Sequence, residues 1–356
     1  MTDRLSFTGT NDTKMWGLDV ETRARRIAAK AAAAGDALPP DSNIEVDRRF
    51  AFDPLWYGFV RERPGAVLTL GGETVLAHRG AAETRYAVED GLTIYNHELR
   101  KREKPFVDRL VPETVRSLEK ASYYAAYKGV TDVLTKYLWP QLALVLTRQA
   151  ARLGMTPNMI TLIGAILCVA TFFLWWEGWY WTGMATAFVF MVLDTVDGKL
   201  ARCTITSSWW GNIFDHGIDL VHPPFWWWAW GAGLATAGVA MSEPMFYGLI
   251  VALVIGYVLQ RLIEGYFIHR VGMHIHVWER VDTRFRLITA RRNPNMVILL
   301  VSLLLARPDL GLWGITIWTG VSLLFHFVRM CQAIALRGRG IELTSWLVGE
   351  DQEQPT

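Results

Sequence analysis

Cysteine is scarce in this chain. Cys168, Cys203 and Cys331 are the only three among 356 residues, and they stand far apart. They offer no pairing pattern and no histidine partners at ligand spacing. This excludes a disulfide framework and a cysteine-built zinc module, and it suits a reducing compartment or a membrane interior. An excess of one charge is missing as well. Thirty-six Lys and Arg against 34 Asp and Glu leave a net charge of +2, so the chain as a whole carries no electrostatic footprint for nucleic acid. The opening residues, MTDRLSFTGTNDTKMWGLDVETRARR, lack the apolar core of a cleaved secretory signal, so the start of the chain is expected in the cytosol.

What the chain has instead is tryptophan, 17 residues of it, and a 51% hydrophobic share gathered into long runs. The runs begin at Thr156. Before them, residues 1–110 read as a small cytosolic α+β region. ETRARRIAAKAAAAGD reads as a helix ended by Gly35, and GAVLTLGGETVLAHRG as two strands turning at Gly71-Gly72. Residues 95–127 are charged and read as mostly helical, broken at Pro105 and Pro112. Residues 111–155 form a juxtamembrane segment. Within it, 131–153 is apolar on one face, with Lys136, Arg148 and Arg152 off that face, as in an amphipathic helix lying on a membrane surface.

From 156 to 340 the pattern is that of an all-α membrane domain. Apolar runs at about 158–176, 179–202, 209–237, 245–268, 293–307 and 311–335 predict six transmembrane helices; the fifth is short. Sorting the loops by charge puts Lys199, Arg202, Arg270, Arg280, Arg284, Arg286, Arg291, Arg292, Arg337 and Arg339 on one side. Glu177, Glu243, Asp309 and Arg307 fall on the other. The positive-inside rule then sets both termini, including the tail 341–356, in the cytosol of a multi-pass protein of the cell (inner) membrane. The cluster WWEGWYW at 175–181 falls at the outer interface, where aromatic anchors are expected.

Between the second and third runs lies DTVDGKLARCTITSSWWGNIFDHGID, residues 194–219. Asp194 and Asp197 share a helix face at the cytosolic end of the second span. Asp215 and Asp219 share one near the start of the third. The short polar turn CTITSS lets two antiparallel helices bring these faces together. Four carboxylates in a partly dry site repel unless a cation neutralises them. Oxygen-only ligation points to Mg²⁺, Mn²⁺ or Ca²⁺ rather than zinc. Gly198, Gly211 and Ala201 allow a ligand close to the helix backbone, and the Arg202 fork suits phosphate.

The spacing D-x2-D-G-x2-A-R-x8-G-x3-D-x3-D, carried by Asp194, Asp197, Gly198, Ala201, Arg202, Gly211, Asp215 and Asp219, resembles the signature of the CDP-alcohol phosphotransferases without departure. TPNMIT at 156–161 also resembles an element that precedes the first span in that family. The resemblance extends over about 156–340. It implies a six-span fold, a homodimer, and transfer of a substituted phosphoryl group from a CDP-linked alcohol to a hydroxyl acceptor with release of CMP, in phospholipid biosynthesis. It further implies that Asp194, Asp197 and Asp215 ligate Mg²⁺ or Mn²⁺, two ions in all, and that Asp219 ligates the second ion or serves as general base on the acceptor hydroxyl. Gly198, Ala201, Arg202 and Gly211 would line the CDP pocket, with Asn158 and Thr161 near it.

The acceptor is less legible. Arg291, Arg292 and Lys136 lie at the same interface and could hold an anionic headgroup, although such residues also serve topology and anionic lipid. CDP-diacylglycerol with a small polar acceptor is the preferred arrangement. A soluble CDP-alcohol, of CDP-inositol type, reacting with a lipid or polyol is the alternative. An ion-coupled transporter is a remote one, because its carboxylates would sit near the bilayer midplane in two repeats. His222-Pro223-Pro224 in the third span predicts a kink. Residues 1–110 lack a nucleotidyltransferase's glycine-rich loop and read as a docking or regulatory module that catalysis could partly do without.

Overall fold

The computed structural model describes residues 3–35, 38–39, 41–96, 99–239 and 241–349, and the side chains of Asn212 and Asp215 lie outside the described residues. The chain divides into two compact units. One comprises residues up to 129 together with 144–157 and 196–208. The other comprises 130–143, 158–195 and the chain from 209 onward.

The first unit is built on a five-stranded mixed sheet in the order β1-β2-β5-β4-β6, from β1 (Leu5–Thr8), β2 (Asn43–Asp47), β4 (Ala66–Leu70), β5 (Glu73–Arg79) and β6 (Thr84–Ala87). β1 pairs parallel to β2, and β4 parallel to β6, while β5 runs antiparallel to both β2 and β4. The β4–β5 hairpin turns at Gly71 and Gly72, with φ of 58° and 78°, left-handed values for which glycine carries no steric cost. Ile44, Val46, Leu68 and Leu76 are fully buried in the sheet. Two helices, α1 (Val20–Ala34) and α2 (Pro54–Arg61), belong to the same unit. Each starts at an aspartate that caps it: Asp19 accepts from Thr22 N, and Asp53 from Leu55 N. α1 ends at Gly35 as the sequence predicts.

Residues 95–110 correct the helical reading. β7 (Ile94–Asn96) pairs with β8 (Lys101–Glu103), and β9 (Val107–Arg109) pairs with β3 (Phe50–Phe52). Pairing with a segment more than fifty residues away is invisible to local periodicity. Pro105 falls between two strands, where its missing N–H breaks no ladder. Only α3 (Val115–Ala125) keeps the expected helix.

The apolar runs of the sequence become helices at nearly the predicted bounds. After α4 (Trp139–Arg152), which follows a π turn at Leu134–Leu138, come α5 (Pro157–Trp176), α6 (Tyr180–Cys203), α7 (Trp209–Ala232) and α8 (Glu243–Tyr266). The short α9 (Arg280–Arg286), then α10 (Arg292–Leu304), α11 (Pro308–Gly338) and α12 (Trp346–Gly349) complete the chain. Among the described residues, three helical segments are long and apolar enough to cross a membrane: Pro157–Trp176, Glu243–Val271 and Pro308–Gly338. α10 is apolar but short. α6 and α7 have spanning length, but their motif charges interrupt the apolar stretch.

In the second unit α11 packs on both α8 and α10. Gly256 lets α8 approach Thr319, and Gly311 lets α11 approach Ser302; a methyl group at either would collide. The aromatic cluster splits. Trp176, Trp179 and Trp181 are exposed as anchors would be, whereas Trp175 and Tyr180 are buried. Trp175 meets the rings of Trp226 and Trp230 edge-on, and Tyr180 Oη donates to the Trp230 carbonyl at 2.6 Å. α7 runs through Pro223 and Pro224. Pro224 cannot donate to the Leu220 carbonyl, and the Tyr257 hydroxyl does so instead at 3.0 Å.

Candidate active site

α6 carries Asp194, Asp197, Lys199 and Arg202 in its last turns. Asp194 and Asp219, from α6 and α7, meet on one side chain, that of Arg292 at the start of α10. Its Nη2 donates to Asp194 Oδ2 at 2.5 Å and its Nη1 to Asp219 Oδ1. The guanidinium also lies over the Phe190 ring, 4.9 Å from its centroid, one turn before Asp194. One carboxylate from each predicted pair is therefore brought to a shared partner, and that partner comes from elsewhere in the chain. Arg292, expected at an acceptor site, is placed on the motif carboxylates.

The base of Arg292 is held by its neighbour. Asn293 Nδ2 donates to Asp132 Oδ1 at 3.0 Å and to Thr135 Oγ1 at 3.1 Å. Asp132 also accepts from Thr135 N at 3.0 Å and Thr135 Oγ1 at 2.9 Å. Burial raises the Asp132 carboxyl, but the Arg286 charge and these hydrogen bonds outweigh it, and the group lies below its ordinary range. In α7, His222 Nδ1 contacts the Ile218 carbonyl at 2.7 Å, so this ring is tied to its own helix.

The remaining half of the α6 motif belongs to the first unit. Asp197 is 3% exposed and accepts from the Gly198 N–H at 2.5 Å. The Arg202 guanidinium folds over Gly198; a Cβ there would stand 3.0 Å from Nη2. Lys199 is buried, donates to the Ala126 carbonyl at 2.9 Å and stands 3.0 Å from the centroid of the Tyr127 ring. The end of α6 leaves carbonyls without helical partners, and α1 supplies donors. Buried Arg23 donates to Cys203 O at 3.0 Å and to Phe52 O at 3.3 Å, and Arg26 to Thr204 O at 2.8 Å. A cation at a helix C-terminus also complements its dipole. Burial lowers the Arg23 pKa, with the Asp53 charge opposing.

Of the other predicted residues, Asn158 is exposed near the start of α5, Thr161 is buried one turn on, and Ala201 and Gly211 are half-buried. The Asp215 side chain lies outside the described residues. Among the described residues no three carboxylate, histidine or cysteine side chains gather as a metal cluster.

Arg291 goes to a second polar cluster in which the sequence reading named only the basic residues. Glu264 on α8 accepts from Arg291 Nη2, from Arg261 Nη1 at 3.0 Å, and faces His276 Nε2 at 3.3 Å. The His276 ring lies 5.3 Å from that of His326 on α11. Burial pushes His276 well below its ordinary value, against the pull of Glu264. Gln260 is one turn from Glu264, Asn295 one turn from Arg291, and Thr319 two turns from His326. All three, with His326, are 3% exposed or less, and their polar atoms have no hydrogen-bond partner among the described residues. At roughly 1–3 kcal/mol for each such atom, they cannot stay dry, because the total would rival a domain's whole stability. The signal was present in GYVLQRLIEG (256–265): Gln260, Arg261 and Glu264 recur at helical spacing inside an apolar run. Lys136 stands apart, exposed, with its ammonium 5.5 Å from the Tyr137 ring centroid.

Two carboxylates from neighbouring helices are thus drawn onto one cation, in a chain whose described residues include three helices long and apolar enough to cross a membrane. Comparison with known proteins gives the family of one segment. Residues 154–327 match the family model for CDP-alcohol phosphatidyltransferase, and this segment is a domain of that family. Cholinephosphotransferase 1 of Mus musculus is 36% identical over 122 residues, 31% of this chain and 29% of the mouse protein. Cholinephosphotransferase 1 of Bos taurus is 34% identical over 133 residues, 34% of this chain and 32% of the bovine one. An uncharacterised CDP-alcohol phosphatidyltransferase class-I family protein of Schizosaccharomyces pombe is 32% identical over 105 residues, 26% of each chain. The chain thus spans about a third or less of the length of the curated relatives it matches.

Proposed function

We propose that the protein transfers a substituted phosphoryl group from a CDP-linked alcohol to a hydroxyl acceptor and releases CMP, with Mg²⁺ or Mn²⁺ as cofactor. The observation that carries this reading is the convergence of Asp194 and Asp219, first and last carboxylates of the family signature, on a single guanidinium. Side chains close enough to share one fork are close enough to share an ion, and hard oxygen donors fit Mg²⁺ or Mn²⁺. Asp194, Asp197, Asp215 and Asp219 would hold it. When bound, the ion would spread the charge that develops on the diphosphate. The chain's own part is to position and to move a proton. Asp219, more exposed than Asp194, is the base for the acceptor hydroxyl. Arg202 takes a donor phosphate, with Gly198, Ala201, Gly211, Asn158 and Thr161 as the lining of the CDP site.

The acceptor reading moves from Lys136 to the Glu264 cluster. Arg291, Arg261, Gln260, Asn295 and His326 present donors and acceptors that water or a polar headgroup must satisfy. This favours CDP-diacylglycerol as donor and a small polar alcohol as acceptor. The name of the cholinephosphotransferase relatives favours the opposite arrangement, in which the small alcohol arrives with its phosphate and a lipid hydroxyl accepts. The cell membrane, cytosolic termini and a homodimer complete the proposal. The deciding experiment measures CMP release by the purified protein with Mn²⁺. One arm supplies CDP-diacylglycerol with a panel of polar alcohols, the other CDP-choline and related soluble donors with diacylglycerol. CMP formed only with an acceptor present supports transfer. CMP formed without one replaces transfer by hydrolysis, and no CMP in either arm refutes the reading.

A further inference from the structure

We infer that Arg292 is a built-in counter-cation of the carboxylate site, which occupies Asp194 and Asp219 in the absence of a divalent ion, competes with that ion for them, and is set free by it to meet an anion. The inference rests on the metal reading above and goes beyond it, since Arg292 is outside the family signature. Three observations carry it. First, the side chain is 13% exposed and bonds both carboxylates. One positive charge against two negative ones leaves the site short of neutrality, which is the condition for exchange with a divalent ion. Second, a guanidinium cannot discharge by losing a proton, so it can yield its place only by moving. Third, only the inner end of the guanidinium is tied to the rest of the fold: Asn293, clamped by Asp132 and Thr135, accepts from Arg292 Nε at 3.3 Å, while among the described residues Nη1 and Nη2 bond the two carboxylates alone and the flat head lies over the Phe190 ring. Moreover Asp219 is 44% exposed against 18% for Asp194. An ion arriving from water meets Asp219 first and peels the fork from its exposed end.

An arginine released beside a bound diphosphate offers a bidentate partner for phosphate oxygens. Metal and donor binding are then coupled: the ion pays to displace Arg292, and the donor rewards its displacement. The test is Mn²⁺ binding to purified protein, read by the loss of the free-ion spin-resonance signal, with no nucleotide present. Arg292→Gln should bind Mn²⁺ about tenfold more tightly than the parent, because a competing like charge is gone. With Mn²⁺ saturating, the same variant should bind CDP about tenfold more weakly. Arg292→Lys, which keeps the charge but can reach one carboxylate at a time, should fall between and guards against a glutamine variant that does not fold. Mn²⁺ affinity equal to or below the parent's in either folded variant, while Asp194→Asn loses binding, overturns the inference and spares the metal site. No Mn²⁺ binding by parent or variants overturns both the inference and the proposed function.

Discussion

Replacing Arg23 by methionine tests whether the N-terminal residues hold the motif helix or merely accompany it. Methionine keeps an unbranched stem in the buried site and removes both donors. The Cys203 and Phe52 carbonyls lose partners at 3.0 and 3.3 Å, and each hydrogen bond from a charged donor contributes about 1.5–3 kcal/mol. Asp53, which burial already raises, also loses the charge that opposes this shift. A local destabilisation of about 3–4 kcal/mol follows, since the two bonds are not fully additive. Cys203 is 2% exposed and reports on the opening of this region. In a Cys168→Ser, Cys331→Ser background, maleimide labelling of Cys203 should accelerate by about a hundredfold or more, as each 1.4 kcal/mol is a factor of ten. CMP release should fall with it. Labelling within about twofold of the parent would refute the argument that α1 holds the end of α6.

Deletion of residues 1–95 removes Arg23 and Arg26 together, so CMP release should fall further than in Arg23→Met; a truncated protein as active as the parent would support a detachable module instead. Asp219→Asn should abolish transfer while CDP binding in Mn²⁺ persists, measured by calorimetry; equal loss of both would make Asp219 a donor ligand and no base. Because the folded Asp132 carboxyl lies below its ordinary value, its contribution is complete above about pH 4 and is lost as the pH falls through the folded value. Asp132→Asn should therefore flatten the acid limb of the thermal-stability profile, and an unchanged limb would count against the clamp. Glu264→Gln should weaken the hold on Arg291 and Arg261 and raise the apparent KM for the polar substrate tenfold or more with a smaller change in kcat; an effect on kcat alone would remove the cluster from binding.

The helices α5 to α8, α10 and α11 were legible because long apolar runs that end at charges mark them, and three of these segments are long and apolar enough to cross a membrane. α1 and the β4–β5 hairpin were legible because Gly35, Gly71 and Gly72 punctuate them. The strands between 94 and 109 were not: VDR finds its partner in FAF at 50–52, and β7 and β8, three residues each, pair across a short charged stretch and are too brief to show an alternation. The spacing marked Asp194 and Asp219 as residues at facing helix ends, but not the arginine on which they meet. Arg292 sits 98 residues from Asp194, and its sequence context, ARRNPN, reads equally well as a topology signal. Glu264 was hidden for a different reason: an apolar run invites averaging, and the polar stripe within it goes uncounted.

The Leu220 carbonyl, released by Pro224 and taken by Tyr257, gives α7 a joint with a latch. Below it the helix carries Asp219; above it Trp226 and Trp230 are wedged among Trp175 and Tyr180. The two halves of the helix are therefore held by different partners, the carboxylate half by Arg292 and the tryptophan half by an aromatic cluster. The donor that closes the gap belongs to α8, so the polar continuity of α7 at this turn depends on the neighbouring helix rather than on its own backbone.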